Sequence, residues 1–508
     1  MSDWPLLSLL VAVPAAGGAL LAALPRLPAG PARALALVFS FSTLGLGTTA
    51  VSAFDPAVTA LQFVEKRPWI AALDVHYHLG LDGLSLVLVL LTGIVAPLAI
   101  LGTTRTVRQP ALHAGLLLLL QAGALGVFVA QDFFPWFVCW ELSLVPAFFL
   151  IKLWGGPGAD RAAYQFVVYT IGGSAFLLLG FAALYAATGT FDFVRLAALA
   201  RDGALAESLA ALGGVWPQVV FLGILLGFAV KVPLFPFHTW LPPAYAEAPI
   251  GASMFLTGVL SKMGVYGFLR LLWPLFPGPL HDAAPVLLWL AVGGVVFGAY
   301  AALRQTDLKR MVAYSSVNHL SYCLLALFAV AGTSGGAAPA QAAALQGAVL
   351  QMFNHGLSAA ALFFCVGVLE ARAGRRGLDD FGGVRASAPV FAGLCGFALF
   401  SSLGLPGLNG FVGEFLIFRG VFGLAPAAAA VSALGLLATA LFLLTFWQRV
   451  FHGPAAGGGV GFRDLGTDEL ATLVPLAALM LLLGVLPQLV VRLFSPLVTA
   501  WVFQLTPP

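Results

Sequence analysis

A run of about twenty apolar residues carries a helix through roughly 30 Å of hydrocarbon. On that ruler this chain holds about fourteen such runs, the first near residues 5–23 and the last near 470–489. In lipid the backbone must satisfy its own hydrogen bonds within each segment, and the weak alternation of a porin strand is absent, so the runs are expected to be helices. Composition agrees: 60% of the residues are hydrophobic and 9% are charged, against about 25% charged in an ordinary soluble domain. The expected fold is all-α, a polytopic membrane protein of about 14 transmembrane helices. The opening Met1-Ser2-Asp3-Trp4-Pro5 has no basic residue ahead of its apolar run, which predicts a retained first span rather than a cleaved signal peptide.

The formal net charge of +3 is small and scattered among connecting segments, which argues against nucleic acid as a partner. Cys139, Cys323, Cys365 and Cys395 lie in apolar runs without C-x-x-C spacing or a companion histidine, so no metal site, iron-sulfur cluster or disulfide framework is expected. Lysine and arginine concentrate in the odd-numbered connections, with Arg26, Arg33, Arg105, Arg108, Arg304, Lys309, Arg372, Arg375 and Arg376 among them. The even-numbered ones hold a handful such as Lys66 and Arg195. The positive-inside rule then puts the odd connections in the cytoplasm and both termini outside.

Two spans are interrupted. The seventh, near 213–240, runs through Lys231-Val232-Pro233-Leu234-Phe235-Pro236-Phe237-His238, and the twelfth, near 388–424, through Gly404-Leu405-Pro406-Gly407-Leu408-Asn409-Gly410 before Glu414. Proline removes a backbone donor and clashes with the preceding turn, so each break leaves polar backbone that must face protein or trapped water. Broken helices in corresponding positions of two halves point to an inverted-repeat transporter. The expected division is 1–111 for helices 1–3, 112–275 for a first five-helix repeat, 276–452 for a second, inverted one, and 453–508 for the last loop and helix.

Ionisable residues mark where such a chain works, because a charge at bilayer depth costs roughly 2.5–3.5 kcal/mol on insertion scales. Only five of the 24 basic residues are lysines, yet the two deepest, Lys231 and Lys262, are both lysine. Arginine does not release its proton in a protein whereas a buried lysine can, so proton release selects against this chain's own preference. Lys262 has no charged neighbour in sequence. Glu141, in Trp140-Glu141-Leu142-Ser143, lies mid-span; facing Lys231 it would form an ion pair whose separation loosens the lysine's proton. His238, His319 and His355 lie in or beside apolar spans, and imidazole can accept at one nitrogen while donating at the other. His76, His78, His281 and His452 read as solvated loop residues, His113 as interfacial, Arg270 as nearer a span end, and the Arg372–Arg376 cluster with Asp379-Asp380 as a solvated loop.

The runs Trp140-Glu141-Leu142-Ser143-Leu144-Val145-Pro146, Lys231-Val232-Pro233-Leu234-Phe235-Pro236-Phe237-His238-Thr239-Trp240, Ala313-Tyr314-Ser315-Ser316-Val317-Asn318-His319 and Asn354-His355-Gly356-Leu357-Ser358 resemble those of the antiporter-like subunits of respiratory complex I and the related multisubunit cation/proton antiporters. The likeness covers roughly residues 120–425. Glu414 at the second break, where sister subunits carry lysine, resembles the subunit M type, called subunit 4 in mitochondria.

That resemblance implies roles. Glu141 would pair with Lys231; Lys262, His319 and His355 would carry protons across the middle; Glu414 would deliver them outside. His238, Pro233, Pro236, Pro406 and Asn318 would support them, although Asn318-His319 stands where relatives often read Ser-His. It implies proton translocation in a bacterial inner membrane, with both termini periplasmic. NADH oxidation and quinone reduction would fall to flavin and iron-sulfur clusters in partner subunits, no cofactor being held by this chain. The partners implied are the other membrane-arm subunits, above all two sister antiporter-like ones, and the lipid bilayer. A cation/proton antiporter subunit or a membrane-bound hydrogenase subunit remains the alternative.

Overall fold

The structure, a computed structural model, describes residues 4–103, 107–455 and 461–505. Met1, Ser2, Asp3 and Arg105 lie outside these described residues. Among them, twelve helices are long and apolar enough to cross a membrane. They sit where the apolar runs predict, from Leu6–Ala23 to Thr467–Val485. The two proline-broken runs are each a pair of shorter helices, Trp216–Lys231 with Leu241–Glu247 and Pro389–Leu403 with Asn409–Leu424.

Burial divides the helices into a centre and a shell. Ile250–Leu275, Leu308–Ala331 and Ala338–Ala373 are almost wholly enclosed, whereas Leu6–Ala23, Ala29–Ala53 and Thr467–Val485 turn most of their surface outward. Lys262, His319 and His355 all ride on the enclosed set. Packed against protein instead of lipid, polar side chains there can find partners.

The breaks satisfy their own backbone. Lys231 is the last residue of its helix, and the Trp240 indole reaches back to donate to Val230 O at 2.9 Å. At the second break Gly404 adopts φ +81, the left-handed conformation that glycine enters without a Cβ penalty, and ends Pro389–Leu403. Asn409 starts the next half: Ser401 donates to its side-chain oxygen at 2.6 Å, and Asn354 Nδ2 donates to its carbonyl at 2.6 Å. The expected eighth span is less regular than its sequence implies. It passes through π-helical turns at Leu256–Leu260 and Phe268–Leu272, one on each side of Lys262. Single π turns recur at functional sites because they shift side chains out of the α register.

The odd-numbered connections gather at one face. Arg376 donates to Glu247 Oε1 and to Asp307 Oδ2, both at 2.7 Å, and Gly158 N donates to Glu247 Oε2 at 3.1 Å. Arg372 bonds Glu469 at 2.6 Å. This corrects the reading of Arg372–Arg376 as solvated: Arg372 and Arg376 are partly buried ties between loops, while Arg375 and Asp379 do face solvent.

The opposite face carries elements that span-counting passes over. Strands Gln62–Ile70 and Val75–Leu81 form an antiparallel hairpin, and Phe193–Arg201, Ala204–Leu212 and Gln488–Leu505 are further helices. The hairpin adds one small sheet to an otherwise helical fold. It also corrects the reading of His78 as solvated, since His78 is 4% exposed and its Nδ1 lies 2.8 Å from Asp192 Oδ2. Lys66 Nζ contacts the same oxygen at 2.7 Å. Burial alone would raise the Asp192 carboxyl, but His78, Lys66 and the Arg195 backbone N–H outweigh it and hold the group well below the ordinary carboxylate range. His113, in the first turn of Pro110–Val129, is likewise buried, edge-on to Trp154. His76, His281 and His452 are half-buried.

Candidate functional site

Two glycines decide the centre of the site. A Cβ at Gly258 would lie 3.2 Å from Gly356 O, and one at Gly356 would lie 2.8 Å from Gly258 O, so the two helix backbones cross closer than any side chain permits. The crossing is one turn from Lys262 on one helix and next to His355 on the other. Lys262 Nζ therefore reaches His355 Nδ1 at 2.8 Å, and also donates to Thr257 O at 2.6 Å within the π turn and to Ser261 Oγ at 3.2 Å.

From His355 the chain of groups continues. The His355 and His319 rings lie 5.2 Å apart between centroids, and His319 Nδ1 stands 3.1 Å from Glu414 Oε1. Gln351, one helical turn before His355, places its Nε2 3.3 Å from Glu414 Oε1 and 3.4 Å from His319 Nδ1. A protonated His319 Nδ1 can donate to Glu414, and a bare one can accept from Gln351, so either proton state has a partner. The same holds across Lys262 and His355: an N–H on either side finds a lone pair on the other. Lys262, His355, His319 and Glu414, far apart in sequence, are thus gathered into one buried row, with Lys262 against His355, His319 against Glu414, and the two imidazole rings side by side between them.

Lys231 stands beside this run without joining it. A Cβ at Gly264 would lie 2.6 Å from Val232 N, so the Lys262 helix presses on the residue that follows Lys231. The expected ion pair with Glu141 is not closed to contact distance, although Glu141 is the acid whose charge acts on Lys231. Neither Lys231 Nζ nor Glu141 Oε1 has a hydrogen-bond partner among the described residues. Lys231 Nζ instead lies 4.9 Å from the centre of the Trp140 ring, whose quadrupole attracts a cation. That indole is itself fixed by its Nε1–H bond to Ser174 Oγ at 3.0 Å.

The supporting residues divide. Asn318 Nδ2 donates to Val295 O and Thr439 Oγ1, each at 3.1 Å, which ties the His319 helix to two neighbours. Pro233 and Pro236 lie in the first break and Pro406 in the second. His238 does not meet the central run; its ring packs on Phe235 and against Phe297, at 5.4 and 5.0 Å. Gln351, Trp140 and Tyr322, whose ring meets His319 edge-on at 5.5 Å, were not legible as site residues. The available signal was spacing, since Gln351 is four before His355 and Tyr322 three after His319. Among the described residues no group of three His, Cys, Asp or Glu is arranged to hold a metal ion.

A family model described as NADH:quinone oxidoreductase/Mrp antiporter, transmembrane, matches residues 130–441, over half of the chain and every member of the central run. The chain belongs to this family. It is 36% identical over 499 residues to NADH-quinone oxidoreductase subunit M of Rhodobacter capsulatus, covering 97% of this chain and 95% of that protein. It is 37% identical over 461 residues to F(420)H(2) dehydrogenase subunit M of Methanosarcina mazei, covering 88% of each. A chain of respiratory complex I from Thermus thermophilus with bound NADH superposes with a TM-score of 0.85 at 30% identity, covering 98% of this chain and 99% of that one. The antiporter-family fold and its family sequence therefore extend over essentially the whole molecule.

Proposed function

We propose that this chain is a proton-translocating membrane-arm subunit of an NADH-quinone oxidoreductase, working beside sister antiporter-like subunits in a bacterial inner membrane. The observation that carries the reading is the enclosed row Lys262, His355, His319, Glu414, in which the lysine meets one imidazole, the carboxylate meets the other, and the two rings lie side by side. Between the Lys262 ammonium and the Glu414 carboxylate lie two imidazoles and an amide. Those groups suit proton passage, and sodium, the alternative cargo, prefers a nest of oxygens.

In this reading Lys231, with Trp140 and Glu141 beside it, receives protons at the first break and Glu414 releases them at the second. The division at 112–275 and 276–452 as two inverted repeats accords with one split helix in each. The arginine-rich face lies in the cytoplasm and both termini on the periplasmic side. Electron donors, flavin, clusters and quinone belong to partner subunits, which is how homologous M subunits serve complexes named for NADH and for F(420)H(2).

The test is Lys231→Ala and Glu414→Ala in the assembled complex, reconstituted in vesicles. Proton pumping is expected to fall, with quinone reduction falling in step. A full rate with an unchanged proton-to-electron ratio in both variants would reject the proposal.

A further inference from the structure

The span that carries Lys262 bears a second group of polar side chains beyond it, which the run toward Glu414 does not use. Tyr266 and Arg270 follow it on the same span, Arg270 within the second π turn, and the two sit side by side toward the hairpin face. There Arg270 meets a cavity of about 580 Å³ whose lining includes His78, Asp82, Gln131, Arg201 and Gln504. Arg201 and Gln504 are exposed, so the cavity opens outward.

At its inner end Arg270 Nη2 donates to Asp82 Oδ2 and, at 3.3 Å, to Ser85 Oγ. Ser85 Oγ lies 3.4 Å from Tyr266 OH, which donates to Phe128 O at 3.2 Å, and the guanidinium sits 5.7 Å from the Tyr266 ring centre. Asp82, Ser85 and Tyr266 are buried. A polar path thus leads from the cavity to within one helical turn of the central lysine.

Left open, that path would let protons from the hairpin face reach Lys262 without passing His355, His319 or Glu414, and a pump cannot hold a gradient across a short circuit. What stands in it is the one basic side chain that keeps its proton under all conditions. A fixed cation in a narrow polar passage repels an arriving proton and does not relay it. Asp82, locked to the guanidinium and to the Ser85 N–H at 3.0 Å, is kept from serving as a carrier. The pair is not explained as a stabiliser, since apolar replacements of buried ion pairs are usually as stable or more so. The chain places lysine where protons must move and arginine where this path must stay shut.

We propose that Arg270, paired with Asp82 against Tyr266, is an electrostatic plug that blocks proton passage between the hairpin-face cavity and Lys262. The inference rests on the proton-relay reading of Lys262. The assay is the passive decay of an imposed pH difference across vesicles holding the assembled complex, without electron donor and with the membrane potential clamped by potassium and valinomycin.

Arg270→Gln is expected to speed the decay roughly tenfold, the factor that removing ~1.4 kcal/mol of barrier gives. Arg270→Lys, which keeps a cation there, should leak far less. Where Arg270→Gln alone does not assemble, Asp82→Asn with Arg270→Gln removes both charges, retains the helix cap through asparagine, and should leak equally. Adding Lys262→Ala to the leaking variant should return decay to the wild-type rate. A leak-tight variant lacking the Arg270 charge overturns the plug, as does a leak that persists without Lys262. Full driven pumping in Lys262→Ala alone would instead overturn the relay reading, and the plug with it.

Discussion

Gly356→Ala tests whether the helix crossing sets the Lys262–His355 contact. The added Cβ would lie 2.8 Å from Gly258 O, a backbone atom that cannot rotate away, and 2.7 Å from a Leu91 methyl that can. Carbon contacts relax near 3.5 Å, so the helices must part by roughly 0.7 Å. Added along the 2.8 Å Lys262–His355 contact, that opens it to about 3.5 Å, beyond the range of a useful hydrogen bond. Overpacking of this kind costs about 1–3 kcal/mol of stability, and a misplacement near 1 Å can slow a transfer by roughly a hundredfold. Pumping and quinone reduction by the assembled complex in vesicles should therefore fall together, by at least about tenfold. Gly258→Ala, whose Cβ would meet Gly356 O at 3.2 Å, should be milder, and Gly172→Ala, with nothing within 4 Å, should be silent. Full turnover and pumping by Gly356→Ala at normal assembly would refute the argument, as would equal damage from Gly172→Ala.

Other expectations follow from single contacts. Gln351→Leu keeps the volume but removes the amide shared by His319 and Glu414, and should slow pumping by about tenfold while leaving assembly intact, read by native gel and proton uptake. Glu414→Lys converts the second break to the residue that sister subunits carry, and should retain more pumping than Glu414→Ala. Asp192→Asn leaves His78 and Lys66 without their anion, and should loosen the hairpin by about 1–3 kcal/mol in hydrogen exchange. Because the folded Asp192 carboxyl is held below its unfolded value, its contribution is full above the ordinary carboxylate range and fades only as pH falls through and below that range. Hairpin protection should thus be flat from neutral pH down to about pH 5 and drop in stronger acid, whereas protection that stays flat in stronger acid would refute the role given to Asp192.

The amino-acid sequence by itself determined the helical membrane fold, the positions of the spans and the two breaks. Apolar run length and proline are local properties, and lipid leaves the backbone no other way to satisfy its hydrogen bonds. It also marked the chemistry, because a lysine, histidine or glutamate deep in an apolar run is conspicuous against its neighbours. Which of those groups meet was settled only by tertiary packing. Lys262 touches His355 because Gly258 and Gly356 let two helices cross, and Lys231 lies over a Trp140 ring that Ser174 anchors. The hairpin and the buried His78 were hidden for the same reason. A histidine's exposure depends on what folds over it, and Asp192, 114 residues further along the chain, supplies that cover.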